Sequence, residues 1–247
     1  MISIKSTHEI EKMRDAAQIA KEALALIEEA VAPGVTTGEI DRIAYDHITK
    51  HNASPSFKGY RGFPGSVCAS VNEEVIHGIP GLKSLKQGDI ISIDIGVCYQ
   101  GYHADCARTF PVGEVSAEAA KLIEVTKQSF FEGIAHARAG ERLSNISHAV
   151  QRHVEKNGFS VVREFVGHGV GSQLHEEPSI PNFGLAGRGP RLYAGMTLAV
   201  EPMVNAGRAA VVVLDDGWTT VTKDGRLSAH YENTVLVTEN EPVILTL

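Results

Sequence analysis

Cysteine is scarce in this chain of 247 residues: Cys68, Cys98 and Cys106 are the only three, and no two of them form a C-x-x-C pair. An odd, unclustered set points to neither a disulfide framework nor a thiolate zinc site, and it fits a reducing cytoplasm. No apolar stretch reaches the roughly 18 residues that a membrane span requires. The N-terminal MISIKSTHEIEKMRDAAQIA carries charge before a signal-peptide core could form. Positive charge is also in deficit, with 23 Lys and Arg against 30 Asp and Glu for a net -7. Nucleic acid and anionic membranes demand a concentrated positive field, so neither is expected as a required partner. The chain has no G-x-S-x-G elbow, H-E-x-x-H helix or phosphate-binding glycine loop.

What is present reads as a globular core cut by many turns, with 43% hydrophobic residues, 24 Gly and 10 Pro. At about 150 residues per domain, the length allows one large body or two modest ones. Ser6 and Glu9 form a capping box that starts a helix whose apolar stripe runs from Ile10 to Val31, and Pro33-Gly34 stops it. Thr36 and Glu39 repeat the box for a second helix to about His51. Ile91, Ile93 and Ile95 then alternate with Ser92, Asp94 and Gly96. That period of two predicts a strand with one apolar and one polar face, a turn near Gln100-Gly101 and a returning strand.

The second half repeats this programme. A helix is expected from about Ser116 to Ala137, and Gly140, Ile146, Val150 and Val154 fall 106 positions after Gly34, Ile40, Ala44 and Ile48. GMTLAVE at 195–201 lies over GDIISID at 88–94 with an offset of 107. Two segments sharing nearly one offset predict an internal duplication. The expected fold class is α+β: one body over 1–247, with pseudo-twofold halves of about 1–112 and 113–247 and a shared antiparallel sheet covered by helices.

The duplication places Asp94 over Glu201, each ending an otherwise apolar strand. Asp105 follows Asp94 across the hairpin, and Glu232 occupies the alternating segment RLSAHYENTVLV. Four carboxylates in one cleft would raise each other's pKa values unless cations held them ionised, and two divalent ions would balance them. His168, flanked by Gly167 and Gly169, supplies a nitrogen ligand. An oxygen-rich shell with one imidazole suits Mn, Fe, Co or Zn in a two-metal hydrolase.

NEEVIHGIP (72–80), ISIDIG (91–96), YHADCARTF (102–110), GHGVG (167–171), HEEP (175–178), AVEPMVNAG (199–207) and SAHYENTVLVT (228–238) occur in that order. Together they resemble the successive signatures of the type I methionine aminopeptidases, over almost the whole chain. The resemblance implies the pita-bread (creatinase/aminopeptidase) fold. It also implies hydrolytic removal of initiator methionine from nascent or free peptides with an unblocked terminus and a small second residue, by a hydroxide bridging two divalent ions. Asp94 would chelate one metal with both oxygens, Asp105 and Glu232 would bridge, and His168 and Glu201 would complete the other shell. Glu201 would also accept the nucleophile's proton. His77 and His175 would contact the scissile amide, and Tyr60, Phe63 and Cys68 would line the methionine slot.

The spacing from His175 to Glu201 has no room for the insertion of type II relatives, and the first helix begins almost at once, as in the minimal type I form. Phe63 stands where some relatives have tyrosine, and His230 where glutamine is frequent. Trp218 reads as a residue of a loop near the site or as a packing aromatic. A monomer is expected, with ribosome contact at most transient. Proline-directed peptidases of the same fold and a noncatalytic peptide-binding module are the competing readings. The former usually carry a further N-terminal domain, and the latter tends to lose ligands that are all present here.

Overall fold

The computed structural model describes residues 2–247. Both expected capping boxes form. Ser6 N–H donates to the Glu9 carboxylate at 2.8 Å ahead of α1 (Thr7–Ala30), and Thr36 N–H donates to Glu39 at 2.8 Å ahead of α2 (Thr37–Lys50). In the second half, α3 spans Ala117–Ile134 and α4 spans Leu143–Lys156. Helix α3 ends three residues before the expected Ala137. There Ala137 N–H donates to the Ile134 carbonyl, a tight turn that sends Ala139 N–H to the Thr238 carbonyl. Local periodicity carries no trace of that long-range bond.

The strands of the first half are β1 (Ser54–Pro55), β2 (Val67–Val71), β3 (Glu74–Ile76), β4 (Ile90–Tyr99) and β5 (Tyr102–Pro111). A first set in the second half comprises β6 (Ser160–Val161), β7 (Gly167–Gly169), β8 (Glu176–Ile180), β9 (Thr197–Val200) and β10 (Met203–Asn205). Then come β11 (Val211–Val213), β12 (Thr220–Thr222), β13 (Ser228–His230), β14 (Glu232–Leu236) and β15 (Val243–Ile244). Nine of these strands make one sheet in the order β1-β4-β5-β14-β9-β7-β8, with β2 beside β4 and β15 beside β14. Strands of both halves are therefore hydrogen-bonded into a single sheet, and β5 meets β14 in antiparallel register.

The hairpin turn falls at Gln100 and Gly101, both with positive φ. Ile91, Ile93 and Ile95 pack with Met13, Ala20 and Ile27 of α1 and Ile40 and Ile48 of α2 in one apolar cluster. Leu198 and Val200 of β9 pack correspondingly with Phe130 and Ile134 of α3 and Ile146 of α4. Helix α2 and helix α4 are each 14 residues long and begin 106 positions apart, so the duplication is visible in three dimensions. The polar face of β4 is not a solvent face: Ser92 is buried and shares a 2.8 Å hydrogen bond with Thr109 of β5.

Candidate metal centre and substrate pocket

Strand register gathers the acidic residues. Asp94 lies opposite Ala107 and Gly96 opposite Asp105, so period-two alternation puts both aspartates on one face of the β4–β5 pair. Glu232 also lies opposite Ala107, and Ala199 is opposite both Thr234 and His168. The same face therefore carries Glu232, His168 and, just past β9, Glu201.

Two close approaches hold this arrangement. Thr234 donates its hydroxyl to the Asp105 carbonyl and accepts from the Asp105 N–H, both at 2.9 Å. Gly167 lets its strand lie against β9, because a Cβ there would overlap the Ala199 carbonyl. The glycines flanking His168 thus serve strand packing first, and access to the imidazole second.

His168 Nδ1–H donates to the Gly169 carbonyl at 2.8 Å. This leaves the Nε2 lone pair facing Glu201 at 3.5 Å and Asp105 at 3.9 Å, the orientation that a metal-ligating imidazole requires. Burial lowers the His168 pKa to about 4, so the ring is neutral at pH 7.

Burial, reinforced by Asp105 and Glu201, raises the Asp94 pKa well above the carboxylate range. It raises Glu201 and Glu232 likewise, with neighbouring carboxylates adding to the effect, and takes Asp105 to about 7. Asp94 Oδ1, Asp105 Oδ1 and Glu232 Oε1 are buried without a hydrogen-bond partner. Arg108, the arginine of β5, does not relieve them. Its guanidinium donates to the Ala107 and Glu232 carbonyls and to Asn233 Oδ1, and lies 4.3 Å from the Tyr231 ring centroid.

Such a set of orphaned oxygens calls for cations, and the donors fit two. Asp105, His168 and Glu232 bring donor atoms within 4.8 Å of one another, and so do Asp94, His230 and Glu232. Glu232 belongs to both groups, as a shared ligand should.

All ten residues singled out from the sequence line one cavity of about 350 Å³. Tyr60, Phe63 and Cys68 form its apolar end, and Phe57, Leu174 and Trp218 join them in one cluster. Tyr60 also hydrogen-bonds His175 Nδ1 at 3.0 Å and stacks on that ring, while His175 lies 4.2 Å from the His168 ring. His77 sits edge-on to Phe165 and Trp218.

Sequence reasoning missed Phe57, Phe165 and Leu174 and left Trp218 without a role, since isolated apolar residues in loops carry no periodic signal. It did single out His230 as a departure beside Glu232. The structure adds that this buried ring has two unpartnered nitrogens, with Nε2 3.6 Å from Glu232 and 4.0 Å from Glu201.

The sequence profile of metallopeptidase family M24 matches residues 11–239. A methionine aminopeptidase from Clostridium perfringens is 60% identical over 247 residues, covering 100% of this chain and 99% of that protein. The chain belongs to the methionine aminopeptidases. Methionine aminopeptidase 1 of Bacillus subtilis is 54% identical over 246 residues, covering 100% and 99% of the two chains. The crystal structure of the Thermotoga maritima methionine aminopeptidase superposes with a TM-score of 0.98 at 46% identity, covering 100% and 99% of the two chains. The enzyme is thus a dinuclear metallo-aminopeptidase of type I with the pita-bread fold, and its central sheet and four covering helices are those expected from the duplication.

Proposed function

We propose that the enzyme removes the initiator methionine from nascent or free peptides with an unblocked terminus and a small second residue. The observation that carries this reading is an apolar slot of Tyr60, Phe63 and Cys68 that shares one cavity with the five metal-binding candidates. An unbranched, polarizable thioether fills such an irregular apolar space well.

Asp94 would hold one cation, His168 and Glu201 would hold the other, and Asp105 and Glu232 would serve both. Two divalent ions held there, whether Mn, Fe, Co or Zn, supply Lewis acidity and acidify water. Glu201 accepts the proton of the attacking water and passes it to the departing amine. A Tyr60 hydroxyl that donates to His175 Nδ1 leaves the ring's own proton on Nε2 for the scissile amide. His77, which lines the same cavity, assists. Burial holds both rings at a pKa of about 4, so each acts at pH 7 as a neutral hydrogen-bonding group.

No helix among the described residues is long and apolar enough to cross a membrane. The three cysteines are free, which fits a reducing cytoplasm.

A panel of free-amine Met-Xaa-Gly peptides compared by kcat/KM tests the reading. Xaa as Gly, Ala or Ser should be cleaved, and Leu, Lys or Phe should be poor. A misplacement of about 1 Å at the reacting carbonyl costs on the order of a hundredfold. Formyl-Met-Ala should be refused. Equal rates for Ala and Phe, or brisk cleavage of the formylated peptide, would leave only a broad aminopeptidase.

A further inference from the structure

A second cluster of metal-binding side chains lies outside the catalytic cavity, where α1 packs on α2. His47 and His51 are four residues apart, so their rings fall on one side of α2, with centroids 4.4 Å apart. Glu22 of α1 faces them. Its Oε2 is 3.3 Å from His47 Nε2 and 3.8 Å from His51 Nε2.

Two of the three donors are already oriented by a neighbour. His51 Nδ1–H donates to the His47 carbonyl at 2.9 Å, which leaves the Nε2 lone pair toward Glu22. Gln18 Nε2 donates to Glu22 Oε1 at 2.8 Å and so reserves Oε2 for the histidines. His47 Nε2 is buried and has no hydrogen-bond partner. Histidine ligands characteristically have their second ring nitrogen held by a carbonyl, as that of His51 is.

Lone pairs on Oε2 and on His51 Nε2 repel unless a cation or a proton lies between them. Protonation is an unfavourable answer for His47, whose pKa is lowered by burial first and by the adjacent His51 second. Glu22, with its pKa lowered chiefly by the Gln18 hydrogen bond, remains a carboxylate. Zinc bonds of about 2.0–2.1 Å to nitrogen and oxygen set tetrahedral donor–donor edges of about 3.3 Å. The His47–Glu22 separation of 3.3 Å matches that edge and the His51–Glu22 separation of 3.8 Å is longer, while one donor atom from each residue lies within 4.8 Å of the other two.

We propose that Glu22, His47 and His51 form a further divalent-metal site, a His2Glu set with a fourth position open to water, which takes zinc or another borderline cation and staples α1 to α2. Two imidazoles and one carboxylate select zinc, nickel or copper over magnesium or calcium.

The test is zinc content per chain after metal-free protein is dialysed against Zn2+. The double variant His47→Gln/His51→Gln, which keeps good helix formers in α2, should bind one zinc fewer than wild type. Its peptide hydrolysis with saturating Mn2+ should be unchanged. Asp105→Asn, which disables the catalytic pair, should retain the peripheral ion. Cobalt bound to that variant should show the intense visible bands of a tetrahedral site, and these should vanish when His47→Gln/His51→Gln is added. If the double variant folds poorly by circular dichroism, Glu22→Gln alone decides. It should weaken the site at least as much as the roughly 10–100-fold that changes to supporting partners cost. Zinc content equal in wild type and the histidine variant, or a peripheral ion untouched by Glu22→Gln, would overturn the proposal.

Discussion

His77 holds a left-handed backbone, φ 59°, at the end of β3, a conformation uncommon outside glycine and costing about 1–3 kcal/mol. The edge contacts of Phe165 and Trp218 hold the ring in that position. His175 is positioned instead by the Tyr60 hydroxyl. Neither is close enough to the carboxylates to form an ion pair with them. His77→Ala and His175→Ala should therefore keep their full metal content and lose about a hundred- to a thousandfold in kcat, the usual result of deleting one well-placed transition-state hydrogen bond. Elemental analysis alongside Met-Ala-Gly turnover checks this, and metal lost in proportion to rate would move the residue into the ligand set. His230 differs from both. Buried to a pKa of about 3, it is a neutral ring beside Glu232, placed among the metal-binding candidates rather than against substrate.

Helix α1 is tied to the sheet by the side chain that caps it. Glu9 accepts from Ser6 N–H and the Ser6 hydroxyl, and also from the Tyr102 hydroxyl of β5 at 2.7 Å. The Ser6 backbone bond first, then Tyr102, lowers its pKa from 4.5 to about 2. A folded-state pKa below the unfolded value contributes stability that is present above about pH 4.5 and lost as the pH falls toward 2. Glu9→Ala should cost about 1 kcal/mol in urea unfolding at pH 7, as lost caps do, with salt screening part of it. The difference from wild type should shrink to nothing near pH 2. A constant difference across that range would mean that the side chain acts through packing. Helices α3 and α4 rely on a different device: Gly133 admits Val150 and Ile146, and a Cβ there would press to 2.7 Å of Val150.

The whole sheet bears the electrostatic load of its own centre. Without cations, the buried Asp105 carboxyl titrates near 7 instead of 3.8, and Asp94, Glu201 and Glu232 are raised as well. A carboxyl whose folded pKa is raised binds more protons in the native state, so native stability falls as pH rises through that window. Chelated protein should lose melting temperature between about pH 4 and pH 7, and added Mn2+ should restore it most at the upper end, where the carboxylates are ionised. Differential scanning calorimetry with and without chelator checks this. A melting temperature indifferent to chelation at pH 7 would mean that the centre carries no such repulsion.

Much of the molecule was legible in the linear chain because the interactions concerned are local. A capping box spans four residues, period-two alternation spans six, and a duplicated helix-and-strand programme leaves a constant offset even where few identities survive. Asp94 and Glu201 are paired by that offset, and the ordered motifs point to the proposed ligands and the two histidines. Tertiary structure decided the rest. Only cross-strand register shows that residues as distant as 94 and 232 share one face. Only loop packing brings Phe57, Leu174 and Trp218 to the slot. Only the crossing of α1 on α2 sets Glu22 against His47 and His51. None of these has a repeating pattern along the chain, since contacts between distant segments depend on how packed surfaces meet rather than on the spacing of neighbouring residues.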